Sequence, residues 1–308
     1  MFYSLLYKLK YTRRKIRTFI SQILYEIKRE KKIIKKILII LCIPYRFIKV
    51  LLGKELIIPY VELVLTTVCN LRCSGCSALI YRYKKPEHID QDINIKSLKN
   101  LLEACDSLTY LRLLGGEPLC YPKLKEIIKF LKTQSNIRKI AIVTNGTMTI
   151  QDEELIELLK DDRFHFSISR YDNFSDKYDK LIKQLDENKI KYIPMREEYE
   201  WIDYGDFTKR NRTNKQVNKQ FLKCNHKVRS LLKGKLFQCF RCSHATNLNL
   251  INLKESDYID LLDDKTSIKE RKKKLNKFIY GYYPYVESCF YCDCMNNPKI
   301  IPRGKQLN

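Results

Sequence analysis

Cys69, Cys73 and Cys76 fall within eight residues, CNLRCSGC, at Cys-x3-Cys-x2-Cys spacing. Thiolates are soft ligands, and three on one short loop can wrap one face of an iron–sulfur cluster, which cysteine normally ligates four times. The missing fourth ligand leaves one iron open to another molecule. Zinc is the competing reading, but it needs a fourth ligand nearby and usually takes Cys-x2-Cys pairs. Six more cysteines, Cys224, Cys239, Cys242, Cys289, Cys292 and Cys294, crowd the last 85 residues. Cys42, Cys105 and Cys120 have no partners at metal spacing and read as buried spares.

The elements around these residues alternate. Val61 to Thr67 is an apolar, β-branched strand that ends just before Cys69. A helix follows over Ser97 to Cys105, with Ser97 as its N-cap, and then a strand over Thr109 to Leu114. Pro122 suits the first turn of a helix that carries Leu124, Ile127, Ile128 and Leu131 on one face. Strand Lys139 to Val143, helix Asp152 to Lys160, strand Phe164 to Ser169, helix Ser175 to Asp186 and strand Ile190 to Met195 complete five strand–helix repeats. That rhythm predicts a parallel sheet with right-handed crossovers, and short strands buried on both faces suit a barrel or open barrel. Gly115-Gly116-Glu117-Pro118, Thr144-Asn145-Gly146 and Ser169-Arg170-Tyr171-Asp172 stand at the ends of successive strands. In parallel α/β folds that edge is where ligands bind. Thr208 to Gln220, rich in Asn, Lys, Arg and Gln, reads as a mobile loop or linker.

A Cys-x3-Cys-x2-Cys motif after the first strand of a predicted (β/α) barrel resembles the radical S-adenosylmethionine (SAM) superfamily, over about residues 60–196. The fold implied is a partial (β/α)6 TIM-like barrel. Gly115-Gly116-Glu117 is similar to the family's Gly-Gly-Glu motif. This implies that Glu117 accepts from the methionine ammonium of SAM and that the two glycines let backbone approach the ligand. Asn145 matches a common family turn, although an ordinary Asn-Gly turn explains it as well. Ser169 matches a strand-end serine near the SAM ribose or carboxylate. Arg170 is the candidate catalytic residue, contacting SAM or an anionic or hydroxylated substrate; pairing with Asp172 is the bland alternative. Arg196 is a weaker candidate of the same kind. The family implies that a [4Fe–4S] cluster on Cys69, Cys73 and Cys76 reduces SAM by one electron. Cleavage then gives methionine and a 5′-deoxyadenosyl radical that abstracts hydrogen from substrate. A flavodoxin- or ferredoxin-type electron donor is implied too.

Nine residues separate Cys224 from Gly234 and four separate Gly234 from Cys239, with a hairpin expected over Val228 to Phe237 turning at Lys233-Gly234. This is similar to the opening of the SPASM and "twitch" auxiliary domains of radical SAM enzymes. The shorter twitch type is implied, with a second [4Fe–4S] cluster on Cys224, Cys239, Cys289 and Cys292. Cys242 and Cys294 are left as substitutes or free thiols. A zinc ribbon, with His226 or His244 as a ligand, is the alternative.

The chain divides into a basic helical extension (1–58), the barrel (59–222) and the Cys-rich C-terminal domain (223–308). Of 308 residues, 44% are hydrophobic and 31% charged, which is the composition of a globular protein. Twelve cysteines and no recognisable export signal point to thiolates kept reduced in the cytoplasm. The net charge is +24, and residues 1–54 alone hold 15 Lys/Arg against 2 Glu. Ile16, Phe19, Ile20, Ile23, Leu24 and Ile27 recur there at helical spacing. This predicts a basic amphipathic helix that lies on an anionic inner membrane face or packs on the barrel. With the excess charge concentrated there and no RNA-binding motif, nucleic acid is disfavoured as a partner. The leading functional reading is a radical SAM oxidoreductase tailoring a carbohydrate or related metabolite, such as a surface-glycan precursor. A peptide or protein maturase is the alternative enzyme. A nucleic-acid-binding protein or a non-catalytic Fe–S, membrane-associated protein is the alternative of another class.

Overall fold

The computed structural model describes residues 2–194, 201–224, 228–294 and 299–307, with side chains except at 2–8 and 172. The expectations placed on Met195, Arg196 and His226 lie outside the described residues, as does the Asp172 side chain.

In chain order the elements are α1 (Phe2–Arg29), α2 (Ile33–Leu41), α3 (Ile43–Leu51), β1 (Ile57–Ile58), β2 (Val61–Thr66), α4 (Gln91–Glu103), β3 (Ser107–Gly115), α5 (Leu124–Thr133), β4 (Ile137–Thr144), α6 (Glu153–Leu158), β5 (Phe164–Ile168), α7 (Ser175–Glu187), β6 (Tyr192–Pro194), β7 (Trp201–Ile202), α8 (Asn214–Lys223), β8 (Arg229–Leu232), β9 (Lys235–Phe237), α9 (Phe240–Asn247), β10 (Tyr258–Asp260), α10 (Ile268–Tyr280) and β11 (Ile300–Ile301). The main sheet runs β10-β9-β8-β2-β3-β4-β5-β6, with β1 also paired to β3. Every pairing from β8 across to β6 is parallel. Six parallel strands thus form the curved core expected of the barrel. The sheet stays open between β6 and β10 and no barrel closes among the described residues.

The apolar pattern explains the packing. Leu124, Ile127, Ile128 and Leu131 of α5 are all buried against the sheet, and β2 is buried along its whole length. Burying one such side chain contributes about 1.5–3 kcal/mol, so this stripe alone holds α5 to the strands. Three expectations needed correction. α4 starts six residues before Ser97, because Asp90 caps it by accepting from Asp92 N and Ile93 N; Ser97 is buried inside the helix, donating to Asn94 O. Residues 208–220 are no linker, since α8 begins there on a Thr213/Gln216 capping box and buries Val217, Gln220 and Phe221. Cys42 is exposed at the α2–α3 junction rather than buried, and Cys120 is only partly buried.

The hairpin expected at 228–237 forms as β8 and β9. It turns through Lys233 and Gly234, both at positive φ (48° and 78°), the conformation of a type I′ turn. β8 lies parallel to β2, with Val61 opposite Arg229 and Leu63 opposite Leu231. The sixth parallel strand therefore comes from beyond the barrel repeats and joins the free edge of the first strand.

The N-terminal helix is built into the molecule. Phe19 and Ile23 of α1 are buried with Val50 of α3 and Ile57 of β1. Tyr11 is buried in a second cluster with Phe207, Phe221 and Phe237. Arg46 ties the helices together, pairing with Glu26 (2.5 Å) and Glu55 (2.6 Å).

Candidate active site

The C-terminal ends of the parallel strands meet at one cavity of about 330 Å3. Cys69, Cys73 and Cys76 line it, together with Gly115, Gly116, Asn145 and Ser169. Four separate strand-end motifs are therefore brought together as the sequence suggested. The two glycines are forced by chain packing. A Cβ on Gly115, at φ +146°, would sit 2.1 Å from Thr66 O, and one on Gly116 would sit 2.0 Å from Val68 O. Gly116 N donates to Thr66 O and Glu117 N to Val68 O, so the glycines let the chain leading into Cys69 lie directly on the end of β3.

Glu117 is fully buried behind this pair and is not among the residues lining the cavity. Its carboxylate accepts from Asn145 N (2.7 Å) and Leu119 N (3.1 Å). Burial pushes its pKa up to about 7, against the pull of those bonds and of the Thr144 hydroxyl. Through Asn145 it anchors the next strand end. Asn145 Nδ2 donates to Asn70 Oδ1 (2.8 Å) and reaches Cys69 Sγ (3.8 Å), and Asn70 in turn donates to Thr147 Oγ1 (2.7 Å). Ser169 is held by its N–H donating to Thr144 O (3.0 Å). Arg170 turns elsewhere: its guanidinium lies 5.6 Å over the Tyr178 ring, and it is not among the cavity-lining residues.

The three thiols already face hydrogen-bond donors. Cys69 Sγ accepts from Leu71 N (3.4 Å), Cys73 Sγ from Gln306 Nε2 (3.2 Å), and Cys76 from the N–H groups of Ala78, Leu79 and Ile80. Burial holds the Cys69 thiol up at about 12, so metal binding there displaces a proton. The chain end straps this loop: Ser74 N donates to Lys305 O and Leu307 N to Arg72 O (2.8 Å each). Donors aimed at sulfur from three directions fit thiolate ligands of a cluster, and the strand-end glycines fit a ligand beside it. Among the described residues no three His, Cys, Asp or Glu side chains stand as the ligand set of a single metal ion. A cluster spreads its thiolates over different irons and so needs a wider spacing.

Several cavity residues carried no signal in the sequence pattern. Glu62 and Arg112 face each other across β2 and β3 at 3.4 Å, bridged by the Tyr60 hydroxyl, which lies 2.9 Å from Glu62 Oε1 and 2.6 Å from Arg112 Nη1. Tyr171, Trp201, Tyr204 and His244 complete the walls. His244 is fully buried, its Nδ1 3.0 Å from the Tyr83 hydroxyl, and burial pushes its pKa down to about 4.

The second cysteine group gathers beside α9. Cys224 ends α8, Cys239 precedes α9, and Cys289 and Cys292 flank the turn at 289–292. Arg212 and Gln220 donate to Cys292 O (2.7 and 2.8 Å), and Arg210 and Arg212 both pair with Asp293. The stretch that looked like a linker thus clamps the cysteine turn. The Cys294 thiol is within hydrogen-bond reach of Cys224 and Cys292, so it stands inside the group. Cys242 faces Asp257 Oδ2 (3.9 Å) instead. Arg241 is 2% exposed, donates to Gly205 O (2.7 Å), and stacks over Tyr204 and Phe207. No carboxylate pairs with it among the described residues, yet its charge reaches both Cys76 and Cys292.

Comparison with known proteins agrees with this geometry. The Radical SAM superfamily model matches residues 63–192. A GTP 3′,8-cyclase from Haemophilus ducreyi is 34% identical over 98 residues, 31% of this chain and 28% of that protein. One from Clostridium perfringens is 24% identical over 281 residues, covering 82% and 80% of the two chains. The chain spans under a third of the length of the first curated relatives it matches. The crystal structure of BtrN in complex with AdoMet and 2-DOIA superposes with a TM-score of 0.50 at 16% identity, over 79% of this chain and 94% of that one, a likeness of fold. Residues 63–192, with their three cysteines, their strand-end glycines and the cavity between them, form a radical SAM domain.

Proposed function

We propose that the chain is an oxidoreductase that uses AdoMet (S-adenosylmethionine) and a [4Fe–4S] cluster on Cys69, Cys73 and Cys76 to act on a small hydroxylated metabolite of carbohydrate type. The observation that carries this reading is the convergence of those three thiols with Gly115, Gly116, Asn145 and Ser169 on one cavity. Cluster and AdoMet together would supply one-electron reductive cleavage followed by hydrogen abstraction. The protein's own part is positioning. Asn145 and Asn70 hold the Cys69 loop, Gly115 and Gly116 bring it against β3, and Glu117 holds Asn145 and stands ready to offset a nearby ammonium. Arg112, Glu62 and neutral His244 face the remaining space, which favours Arg112 over Arg170 as the guanidinium toward substrate.

A second [4Fe–4S] cluster on Cys224, Cys239, Cys289 and Cys292 is part of this proposal, with Cys294 close enough to exchange for one of them. Arg241 supports it: a buried guanidinium without a carboxylate is costly, and anionic clusters on either side would balance it. A flavodoxin- or ferredoxin-type donor would supply the electron.

One feature of the cavity chooses among substrates. Among the described residues Arg112 is the one permanently charged cation lining the cavity and is already paired with Glu62, which disfavours a nucleoside triphosphate. The test is 5′-deoxyadenosine formation under anaerobic conditions with AdoMet and dithionite, comparing aminocyclitols and neutral sugars with GTP and with peptides. Stimulation by the hydroxylated compounds alone is expected. Stimulation by GTP or by a peptide would overturn the substrate class.

A further inference from the structure

We propose that α2 and α3 form a docking face for an anionic lipid bilayer, placed at the end of the sheet opposite the cysteine cavity. The inner face of these helices is used: Ile39, Ile43, Phe47 and Val50 pack with Phe19, Ile23 and Ile57. The outer face is not. Ile34, Ile37, Leu38, Leu41, Tyr45, Ile48 and Leu52 recur at steps of one to four residues and are 50–75% exposed. No residue of α2 is fully buried, and only Lys36 and Ile39 are partly so. Leu24 of α1 is 62% exposed as well. So large a run of exposed aliphatic side chains marks an interaction surface.

Charge identifies the occupant. Lys28, Arg29, Lys31, Lys32, Lys35 and Lys54 border the run and are exposed, and none of them pairs with a carboxylate among the described residues. The two acids of residues 1–54 offset little of this charge, since Glu26 is bound to Arg46 and the single carboxylate of Glu30, which accepts from Lys32 N, lies near Lys32 and Lys35. A second copy of the chain would set two segments of 15 basic and 2 acidic residues against each other. An anionic bilayer offers both an apolar interior for the aliphatic residues and negative headgroups for the lysines.

The face is also oriented. Arg138, at the start of β4, donates to Ser21 O (2.8 Å), and the Tyr25 hydroxyl donates to Arg138 O (3.2 Å). β1, which packs under Phe19 and Ile23, pairs with Ser107 and Leu108 at the start of β3. The helices therefore cover the N-terminal ends of the strands, whereas the cavity lies at their C-terminal ends. Docking would hold the enzyme at the membrane with its active site turned toward water.

Deleting residues 1–54 would strip Tyr11, Phe19 and Ile23 from the core, so the test uses exposed positions in the full chain. Wild type should cosediment with vesicles of phosphatidylglycerol and phosphatidylcholine in equal parts, far less with phosphatidylcholine alone, and less at high salt. The combined Lys31→Gln, Lys32→Gln and Lys35→Gln variant should bind the anionic vesicles about a hundredfold more weakly, at about fivefold per lysine. Ile34→Asn, Leu38→Asn and Leu41→Asn together should abolish binding while iron content stays unchanged. Should that variant lose iron, the lysine variant decides alone. Failure of wild type to bind anionic vesicles, or equal binding to both kinds, would overturn the proposal. So would a solution dimer that the asparagine variant dissociates, which would assign the face to a second copy.

Discussion

Replacing Glu117 with Gln tests the most unusual group beside the cysteine cavity, and the outcome follows from its surroundings. The carboxyl is fully buried, and burial lifts its pKa from 4.5 to about 7. Between those values the folded protein holds a proton that the unfolded chain has released. This group therefore adds stability that is fully present below pH 4.5 and is lost as pH rises through 7. A gap of about 2.5 pH units at ~1.4 kcal/mol each makes that contribution up to about 3 kcal/mol. Gln cannot titrate, and its amide nitrogen would face either Asn145 N or Leu119 N, leaving one buried donor without an acceptor at a cost of about 1–3 kcal/mol. Near pH 8 that loss is offset by no longer burying a charge, so variant and wild type should be close. At pH 5 wild type should be the more stable by about 2.5 kcal/mol. Anaerobic denaturant titrations of both proteins from pH 5 to pH 8 measure the difference. Adding AdoMet should flatten the wild-type slope, because an ammonium near the carboxylate lowers its pKa. Parallel stability curves for the two proteins would refute the reasoning.

Gly116→Ala should cost more than most surface changes, since its Cβ meets Val68 O at 2.0 Å and neither backbone can yield without moving Cys69; iron content after reconstitution should fall with the melting temperature. Arg241→Met should lower the reduction potential of both clusters, and Arg241→Lys should restore much of it, in redox titrations followed by electron paramagnetic resonance; a change confined to one cluster would contradict the placement of its charge between them. Thr213→Ala removes the α8 capping box and should cost about 1 kcal/mol in thermal stability, with partial loss of the second cluster because α8 carries Cys224 and Gln220.

The strand–helix core was legible because its signals are local. The α5 stripe, the β-branched run of β2 and the Lys233-Gly234 turn each state their geometry within a few residues. The helix starts are less legible: the sequence reading begins α4 at Ser97 rather than at its cap Asp90, and the polar composition around Thr213 hides the pair Val217 and Phe221, four residues apart and both buried. The site divides in the same way. Cysteine spacing and strand-end glycines announce themselves, whereas Glu62 and Arg112 are single polar residues within apolar strands, visible only once two strands lie side by side. Gln306 meets Cys73 from 233 residues away, and Arg241 meets both cysteine groups only through the placement of α9; no spacing rule reaches such contacts. Arg170 shows the converse: a strand-end position did not bring its side chain into the cavity, and its guanidinium lies over the Tyr178 ring of α7.

The most direct test of the central claim is AdoMet cleavage by the reconstituted protein with its iron counted. Under anaerobic conditions with dithionite, the wild-type chain should hold about eight irons and convert AdoMet to methionine and 5′-deoxyadenosine. The variant with Cys69, Cys73 and Cys76 all changed to Ala should keep about half the iron and form no 5′-deoxyadenosine. Stoichiometric zinc in place of iron, or 5′-deoxyadenosine formation that survives loss of those three cysteines, would contradict the account.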